Sequence, residues 1–318
     1  MPAIYLHQHK DFQALLRIVA DEKGILPTLV EKDYWIMHVL YGLTKQGFQF
    51  ELKGGTSLSK GYKIIERFSE DIDIHIKPDA GFKINENPNN AKPANVAARK
   101  IFYDSLAKTI NIDGIASVER DIAFDDTDQY RSGGIRLNYS NNFDKVEGDK
   151  DGILLETGFD TVTPNKKLTI GSWAYDRTIQ TPGIDMIDNR AIDIACYDHR
   201  YTFVEKLQTI ATKFRKEQSG KGERPNFMRQ YYDVFCLLGD EQVQQFIGTD
   251  DYLAHKQRRF PAADRDIPIL QNEAFLLNDP ELRRDFAKRY KETASLYYNG
   301  QPDFDELLDR IKAHVERL

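Results

Sequence analysis

The fold can be read from Lys53-Gly54-Gly55-Thr56-Ser57-Leu58 and its continuation, Arg67-Phe68-Ser69-Glu70-Asp71-Ile72-Asp73-Ile74-His75. The alternating residues 48–53 run into two glycines, which is typical of a strand that ends in a tight turn. A helix is predicted over residues 58–66, with Thr56 or Ser57 as its cap. The alternation over residues 71–77 predicts a second strand, with isoleucines on one face and Asp71, Asp73 and His75 on the other.

This strand–turn–helix–strand unit has the residue types that bind a nucleotide and a metal ion. Asp71 and Asp73 are two residues apart on a strand, so their carboxylates project to the same side. Their mutual repulsion favours a bound cation, for which Mg²⁺ or Mn²⁺ are the candidates. Gly54 and Gly55 allow the main chain to approach a phosphate, and the N–H groups and hydroxyls of residues 56–57 can bind it. Each half alone is common as a surface carboxylate pair or a plain turn, but the combination favours nucleotide chemistry.

The composition indicates an ordinary globular protein of about two domains. The chain has 318 residues, of which 41% are hydrophobic and 30% charged. No apolar run approaches the ~20 residues of a membrane span, and the N-terminus lacks the features of a signal peptide. Cys196 and Cys236 lie far apart in apolar surroundings and are expected to be buried free thiols. These features predict a cytoplasmic protein without membrane contact.

The pattern along the chain predicts an α/β part over residues 1–190 and a helical part over residues 191–318. Two N-terminal helices precede the glycine turn, and a polar loop at 78–93 leads into a helix over about 94–110. Further strands are predicted at 115–124, 135–139, 153–157 and 168–173. Helices are then predicted at 201–216, 228–238, 281–298 and 304–315. No internal repeat or low-complexity tract is present.

The charge distribution is uneven. The net charge of −6 argues mildly against a nucleic-acid binder. Residues 199–233 nevertheless contain eight Lys or Arg against four Asp or Glu, which is a local excess of four positive charges. With Lys256, Arg258, Arg259, Arg283 and Arg284, this segment could bind an RNA backbone, although each residue alone is more typical of a solvated helix face.

The quoted stretch resembles the signature of the polymerase-β-like nucleotidyltransferases, in which Gly-Gly and a helix precede Asp-apolar-Asp-apolar. A longer stretch is similar to the AbiEii/AbiGii toxin branch. It consists of Lys53-Gly54-Gly55-Thr56-Ser57-Leu58-Ser59-Lys60 followed by residues 65–73. Two later blocks of that family also have similar stretches in this sequence. They are Phe203-Val204-Glu205-Lys206-Leu207 and Arg229-Gln230-Tyr231-Tyr232-Asp233-Val234-Phe235. The loop at 78–93 and the region after 240 match no block.

The resemblance implies a polymerase-β-like core with a mixed sheet and a C-terminal helical region. It also implies a metal-dependent transfer of a nucleotide from an NTP to an RNA, with a tRNA 3′ end as the expected acceptor. The chain would act as the toxin of a bacterial toxin–antitoxin or abortive-infection system, in phage defence, with a cognate antitoxin as a possible partner. Two alternatives stay open: transfer to a protein hydroxyl, and an inactive module that binds nucleotide or RNA.

The resemblance also suggests roles for three residues outside the quoted stretch. Glu156 is the candidate for a third metal-binding carboxylate, although it could equally be a solvated strand residue. Lys206 would bind the triphosphate, unless its side chain only reaches to water along its helix. Asp233 would complete the site by positioning Lys206 or the base; its simpler explanation is a surface ion pair with Arg229.

The remaining charged residues near the motif have simpler explanations. Each of Lys53, Lys60, Arg67, Arg131 and Arg136 could contact phosphates, but each is individually expected to be a surface charge. His75 lies on the carboxylate face, and the lack of other His or Cys at zinc spacing favours a hydrogen-bonded strand histidine. Ser69 is either a turn residue or, if exposed, a point of control by modification.

Overall fold

A mixed seven-stranded sheet is the centre of the first of two units. The computed structural model describes residues 3–79, 81–144, 151–160, 162–181, 185–222 and 227–318. The chain divides into a unit formed by Met1–Tyr62 with Phe68–Tyr197, and a second formed by Lys63–Arg67 with Asp198–Leu318. No helix in these described ranges is long and apolar enough to cross a membrane.

The strands of the first unit form this sheet, and β2 shows the predicted alternation of apolar and polar residues most clearly. They are β1 Phe50–Lys53, β2 Asp71–Ile76, β3 Ile115–Asp121, β4 Ser132–Tyr139, β5 Ile153–Gly158, β6 Asn165–Ile170 and β7 Ala191–Tyr197. Their order in the sheet is β3-β4-β5-β2-β1-β7-β6. β2 is antiparallel to β1 and parallel to β5, and β1 is parallel to β7. The two strands that flank the glycine turn therefore lie side by side near the middle of the sheet.

Helices of the same unit pack against this sheet or against one another. They are α1 Phe12–Lys23, α2 Pro27–Lys45, α3 Gly54–Thr56, α4 Pro93–Thr109 and α5 Trp173–Thr178. The helix α2 is buried along most of its length and packs against β5 and β7, as its apolar residues on more than one side predict. The helix α4 packs against β3 and β4.

The second unit is helical. Its helices are α6 His199–Gln218, α7 Arg229–Leu237, α8 Glu241–Phe246, α9 Asp250–Arg259, α10 Ala262–Arg265, α11 Glu273–Leu276, α12 Pro280–Lys291 and α13 Phe304–Lys312. The long helix α6 packs against α7, α8, α9 and α11. Its apolar residues Phe203, Leu207, Ile210 and Ala211 are buried, as the helical spacing predicts.

Several predictions at the level of elements are wrong, and two of them have a clear local cause. The helix predicted over residues 58–66 stops early: α3 passes into one π-helical turn, Ser57–Gly61, and Lys63 then adopts a left-handed conformation with φ of 57°. The strand predicted over 168–173 ends at Ile170, because Ser172 caps α5 by accepting a hydrogen bond from the Tyr175 N–H.

The strand β7 was not predicted at all, since residues after 190 were expected to be helical. Its alternation is interrupted at Asp193, which has φ of 57° and is exposed together with Ile192. The antiparallel partner β6 shows a register irregularity on the same stretch, between Leu168 and Ile170. This irregular pairing removes the regular period that would have revealed the strand.

Candidate functional site

The glycine turn between β1 and α3 brings the main chain against one of the two aspartates. Gly54 has φ of +70°, and a β-carbon at this position would overlap the carboxylate of Asp73. A residue with a side chain would therefore meet both backbone strain and a steric clash. The structure thus explains why a glycine stands at the end of β1.

The two hydroxyls after the glycines point into the protein. Thr56 is fully buried, and its Oγ1 donates a hydrogen bond of 2.6 Å to the main-chain carbonyl of Asp71. Ser57 is buried with its hydroxyl beside the thiol of Cys196, whose pKa burial raises to about 12. Thr56 stands at the cap position of the π-helical turn Ser57–Gly61, but its side chain makes no capping hydrogen bond, contrary to expectation. A phosphate contact from residues 54–57 would rest on main-chain N–H groups, and this nucleotide role stays a prediction.

The two aspartates are arranged as the alternation predicts. Asp71 and Asp73 are half-buried on one face of β2, whereas Ile72 and Ile74 are fully buried on the other. Because β2 and β5 are parallel and in register, Glu156 is the direct cross-strand neighbour of Asp73. All three carboxylates consequently lie on the same face of the sheet.

The number of carboxylates on this face can be compared with the number that a bound Mg²⁺ ion requires. Among the described residues, no group of three or more His, Cys, Asp or Glu is arranged to hold a metal ion. Mg²⁺ is usually bound by one or two carboxylates and completes its coordination with water and substrate phosphates. The pair Asp71 and Asp73 matches this number of ligands, and the metal roles of Asp71, Asp73 and Glu156 all stay predictions.

His75 has the environment of a hydrogen-bonded strand histidine. Its Nδ1 lies 3.0 Å from Oε2 of Glu51, the cross-strand neighbour on β1. Lys77 also pairs with Glu51, at 3.0 Å. Burial would raise the pKa of Glu51, but its bonds to His75 and Lys77 outweigh burial and lower that pKa. The arrangement fits a structural pair beside the aspartates.

The second unit contains a buried cluster of charges around Asp233. The Asp233 side chain is fully buried and accepts two hydrogen bonds of 2.7 Å from Nε and Nη2 of Arg67. Its Oδ2 is also 2.8 Å from Nζ of Lys206. Burial would raise the pKa of Asp233, but the two cations lower it to about 2. The carboxylate is thus ionised and held between two positive charges.

These contacts correct two expectations. Arg67 is not a surface charge: it is buried, because its guanidinium forms the bidentate pair with Asp233. Asp233 itself lies inside the unit rather than in a surface ion pair, and its partners include Arg67 and Lys206. Lys206 is mostly buried as well, and its Nζ donates a second hydrogen bond of 3.0 Å to Gln230 Oε1. Contact between Lys206 and a triphosphate stays a prediction.

Lys60, also expected to be a surface charge, is held inside the first unit. It pairs with the fully buried carboxylate of Asp33 on α2, and its Nζ lies 4.5 Å from the centre of the Trp173 ring. Asp33 also accepts a hydrogen bond of 2.8 Å from the Trp173 N–H. The signal for this pair was the run of three charges, residues 31–33, in a helix whose other residues are mainly apolar.

Several of the positive charges expected to bind RNA or phosphate have acidic partners. In the second unit, Arg200 pairs with Asp198, Arg215 with Asp264, Arg259 with Glu205 and Arg283 with Asp305. Arg224 lies outside the described residues. In the first unit, Arg131 pairs with Asp126 and Arg136 with Asp121. These pairs reduce the positive potential that the sequence count suggests.

A known protein family matches most of the chain. Residues 38–310 match the model of a family described as nucleotidyl transferase AbiEii toxin, type IV toxin–antitoxin system. No curated protein matches. A solved structure similar to the chain is an antigenic nucleotidyltransferase-like protein from Paracoccidioides brasiliensis. It is 13% identical, with a TM-score of 0.32, over 73% of this chain and 95% of that chain.

The family match spans the glycine turn, the aspartate pair, Lys206 and Asp233, and it covers well over half of the chain. The mixed sheet that carries the turn and the aspartates is thus the scaffold of a nucleotidyl-transferring enzyme. The chain belongs to the AbiEii nucleotidyl transferase toxin family of type IV toxin–antitoxin systems.

Proposed function

We propose that the chain transfers a nucleoside monophosphate from an NTP to the 3′ hydroxyl of an RNA, in a reaction that depends on Mg²⁺. The observation that carries this proposal is the pair Asp71 and Asp73 lying directly beside the Gly54 turn. A tRNA is the proposed acceptor, since modification of its 3′ end would stop translation. The reaction would take place in the cytoplasm, where its substrates are found. A cognate antitoxin would inhibit it, and infection by phage would end that inhibition.

Some of the proposed site residues act through their charge, and others position a reacting group. Asp71 and Asp73 would hold the metal ion, which supplies charge neutralisation at the phosphates and activation of the attacking hydroxyl. The main-chain N–H groups of residues 54–57 would bind the β- and γ-phosphates. The acceptor hydroxyl loses its proton to solvent as its oxygen attacks the α-phosphorus in line. The bond between that phosphorus and the oxygen bridging to the β-phosphate breaks, and pyrophosphate leaves. Lys206 is the proposed cation for the phosphate charge, and Asp233 is the residue that positions it.

The test is transfer of label from each α-labelled NTP to a tRNA pool, with Mg²⁺ or Mn²⁺ or with EDTA. We expect labelled RNA and pyrophosphate from the wild type and no product with EDTA. Asp71→Asn and Asp73→Asn should each lower the rate by about 10³-fold, because several kcal/mol of transition-state stabilisation are lost. Asp79→Asn, an exposed aspartate shortly after β2, is the matched control and should retain the rate.

The two alternatives give different outcomes in the same experiment. Label that appears on protein instead of RNA would favour transfer to a protein hydroxyl. Nucleotide binding without any transfer would favour an inactive binding module. Equal transfer by the wild type and Asp71→Asn would contradict the proposed role of the carboxylates.

A further inference from the structure

The sheet register connects the aspartate pair to a second group of polar side chains. Two rows of cross-strand neighbours run from β2 over β5 and β4 to β3. The first row is Asp71, Leu154, Arg136, Glu119, and the second row is Asp73, Glu156, Gly134, Asp121. Neighbours in a row share one face of the sheet, so Arg136, Glu119 and Asp121 project to the side of the aspartates.

A cavity lies at the far end of these rows. It has a volume of about 550 Å³ and is lined by side chains that include Glu119, Asp121, Arg136 and Asn138. Small-molecule sites usually measure roughly 300–1,000 Å³. With strands about 4.8 Å apart, Arg136 lies about 10 Å from Asp71 and Glu119 about 14 Å from it. This separation is comparable with the reach from the α-phosphate of a nucleotide to the edge of its base.

The charge in this cavity does not suit a phosphate. The guanidinium of Arg136 donates to Oδ2 of Asp121 at 2.5 Å and to the main-chain oxygen of Asp151 at 2.9 Å. It also lies 5.7 Å from the centre of the Phe124 ring. Glu119 adds a further negative charge on the lining. An uncharged group with hydrogen-bond donors matches this surface better than an anion does.

The residues at the cavity mouth offer acceptors for such donors. Glu119 is exposed and accepts a hydrogen bond of 2.8 Å from the amide of Asn138. The same amide lies 3.0 Å from the hydroxyl of Ser117. An ionised carboxylate can accept about four hydrogen bonds, so Glu119 can accept another one from a ligand. Carboxylates that accept from the exocyclic amino group of a base are an established mode of base recognition.

We propose that this cavity binds a nucleobase with an exocyclic amino group, which Glu119 and Asn138 recognise. The inference rests on the proposed function, since the base belongs either to the donor NTP or to the terminal nucleotide of the acceptor. The cavity then determines which base is used, while the aspartates act on the phosphate about one nucleoside away.

The test compares base selectivity in the full-length wild type with that of Glu119→Gln and Asn138→Ala. One arm measures kcat/KM for ATP, CTP, GTP and UTP with a fixed acceptor. The other arm uses one NTP and oligoribonucleotides that differ only in their 3′ base. We expect the preference of adenine or cytosine over uracil to fall about tenfold in one arm, which identifies the source of the base. Glu22→Gln removes an exposed carboxylate on α1 and serves as the control for loss of charge.

Equilibrium binding of the same NTPs and oligoribonucleotides compares the base selectivity of the wild type and the variants without turnover. Thermal melting of each variant shows whether it is folded. Wild-type binding with a base preference that both variants lose, but without transfer, would support the cavity and contradict the proposed function. Unchanged selectivity of both folded variants in both arms and in binding would overturn the inference and leave the proposed function intact. If Glu119→Gln fails to fold, Asn138→Ala alone decides.

Discussion

The hydroxyl of Thr56 donates a 2.6 Å hydrogen bond to the main-chain carbonyl of Asp71. This bond joins the segment after the glycine turn to the first residue of the strand that carries both aspartates. The turn and the aspartates are thus fixed relative to one another by a buried side chain that need not touch any substrate.

Removing this hydroxyl should impair transfer without changing any proposed ligand of the metal. Thr56→Val leaves the Asp71 carbonyl without its Thr56 donor, and a small displacement of the strand should lower kcat by about 10- to 100-fold. Thr56→Ser keeps the donor and should retain most of the rate. The measurement is kcat for RNA labelling together with the free energy of unfolding, which should fall by about 1–3 kcal/mol in Thr56→Val. Equal rates for the two variants would contradict the positioning role.

Gly54 allows the main chain to pass directly beside Asp73. A variant at a second glycine, Gly47, distinguishes the effect of backbone strain from the effect of the steric clash. Gly54→Ala introduces a β-carbon that overlaps the Asp73 carboxylate, whereas Gly47→Ala meets nothing within 4 Å. Both glycines have positive φ, of 70° and 85°, so both variants should lose about 1–2 kcal/mol of stability. Only Gly54→Ala should lose transfer activity. A loss of activity in Gly47→Ala as well would indicate that stability, not the clash, limits the rate.

The buried charges of the second unit depend on one another. Asp233→Asn leaves Arg67 and Lys206 without their buried negative charge and should destabilise the protein by about 3–5 kcal/mol. Lys206→Met keeps the Arg67 pair with Asp233 and should cost less, while kcat/KM for the NTP should fall if Lys206 binds phosphate. Denaturant unfolding and steady-state kinetics of both variants and of the double variant measure the coupling. Unchanged kcat/KM in folded Lys206→Met would remove Lys206 from the proposed phosphate site.

The stability of the protein should decrease below neutral pH because of one buried histidine. Burial lowers the pKa of His38 from 6.5 to about 4, so between these values the unfolded state binds more protons than the folded state. The free energy of unfolding should therefore fall by about 2 kcal/mol from pH 6.5 to pH 5. His38→Gln should flatten this dependence, whereas His9→Gln, at a more exposed position, should not. Urea unfolding at several pH values distinguishes the two results.

The parts of the site that the sequence revealed are those with a regular local pattern. The alternation in β2 predicted which side Asp71 and Asp73 occupy, and the two glycines predicted the turn before them. The match to the nucleotidyl transferase family confirms the resemblance that these residues and the two later blocks carried. Such features depend on residues close together in the chain, so a single sequence is sufficient to reveal them.

The long-range partners could not be predicted, because no local period records them. The bidentate pair of Arg67 with Asp233 joins residues 166 positions apart, and the register that places Glu156 beside Asp73 depends on pairing with a distant strand. The inward direction of the Thr56 hydroxyl likewise follows from the position of β2. A pattern of charges indicated that these residues were unusual but not which partners they have.

The parallel pairing of β1 with β7 also affects how the enzyme is made. Glu51 and Leu52 lie next to Ala195 and Cys196, more than 140 positions later in the chain. A nascent chain cannot complete the sheet around the aspartates until residues 191–197 have emerged from the ribosome, and contacts of such long sequence separation form slowly. The sheet around the aspartates is therefore completed only once β7 is available, so the fold of the site depends on a strand far along the chain.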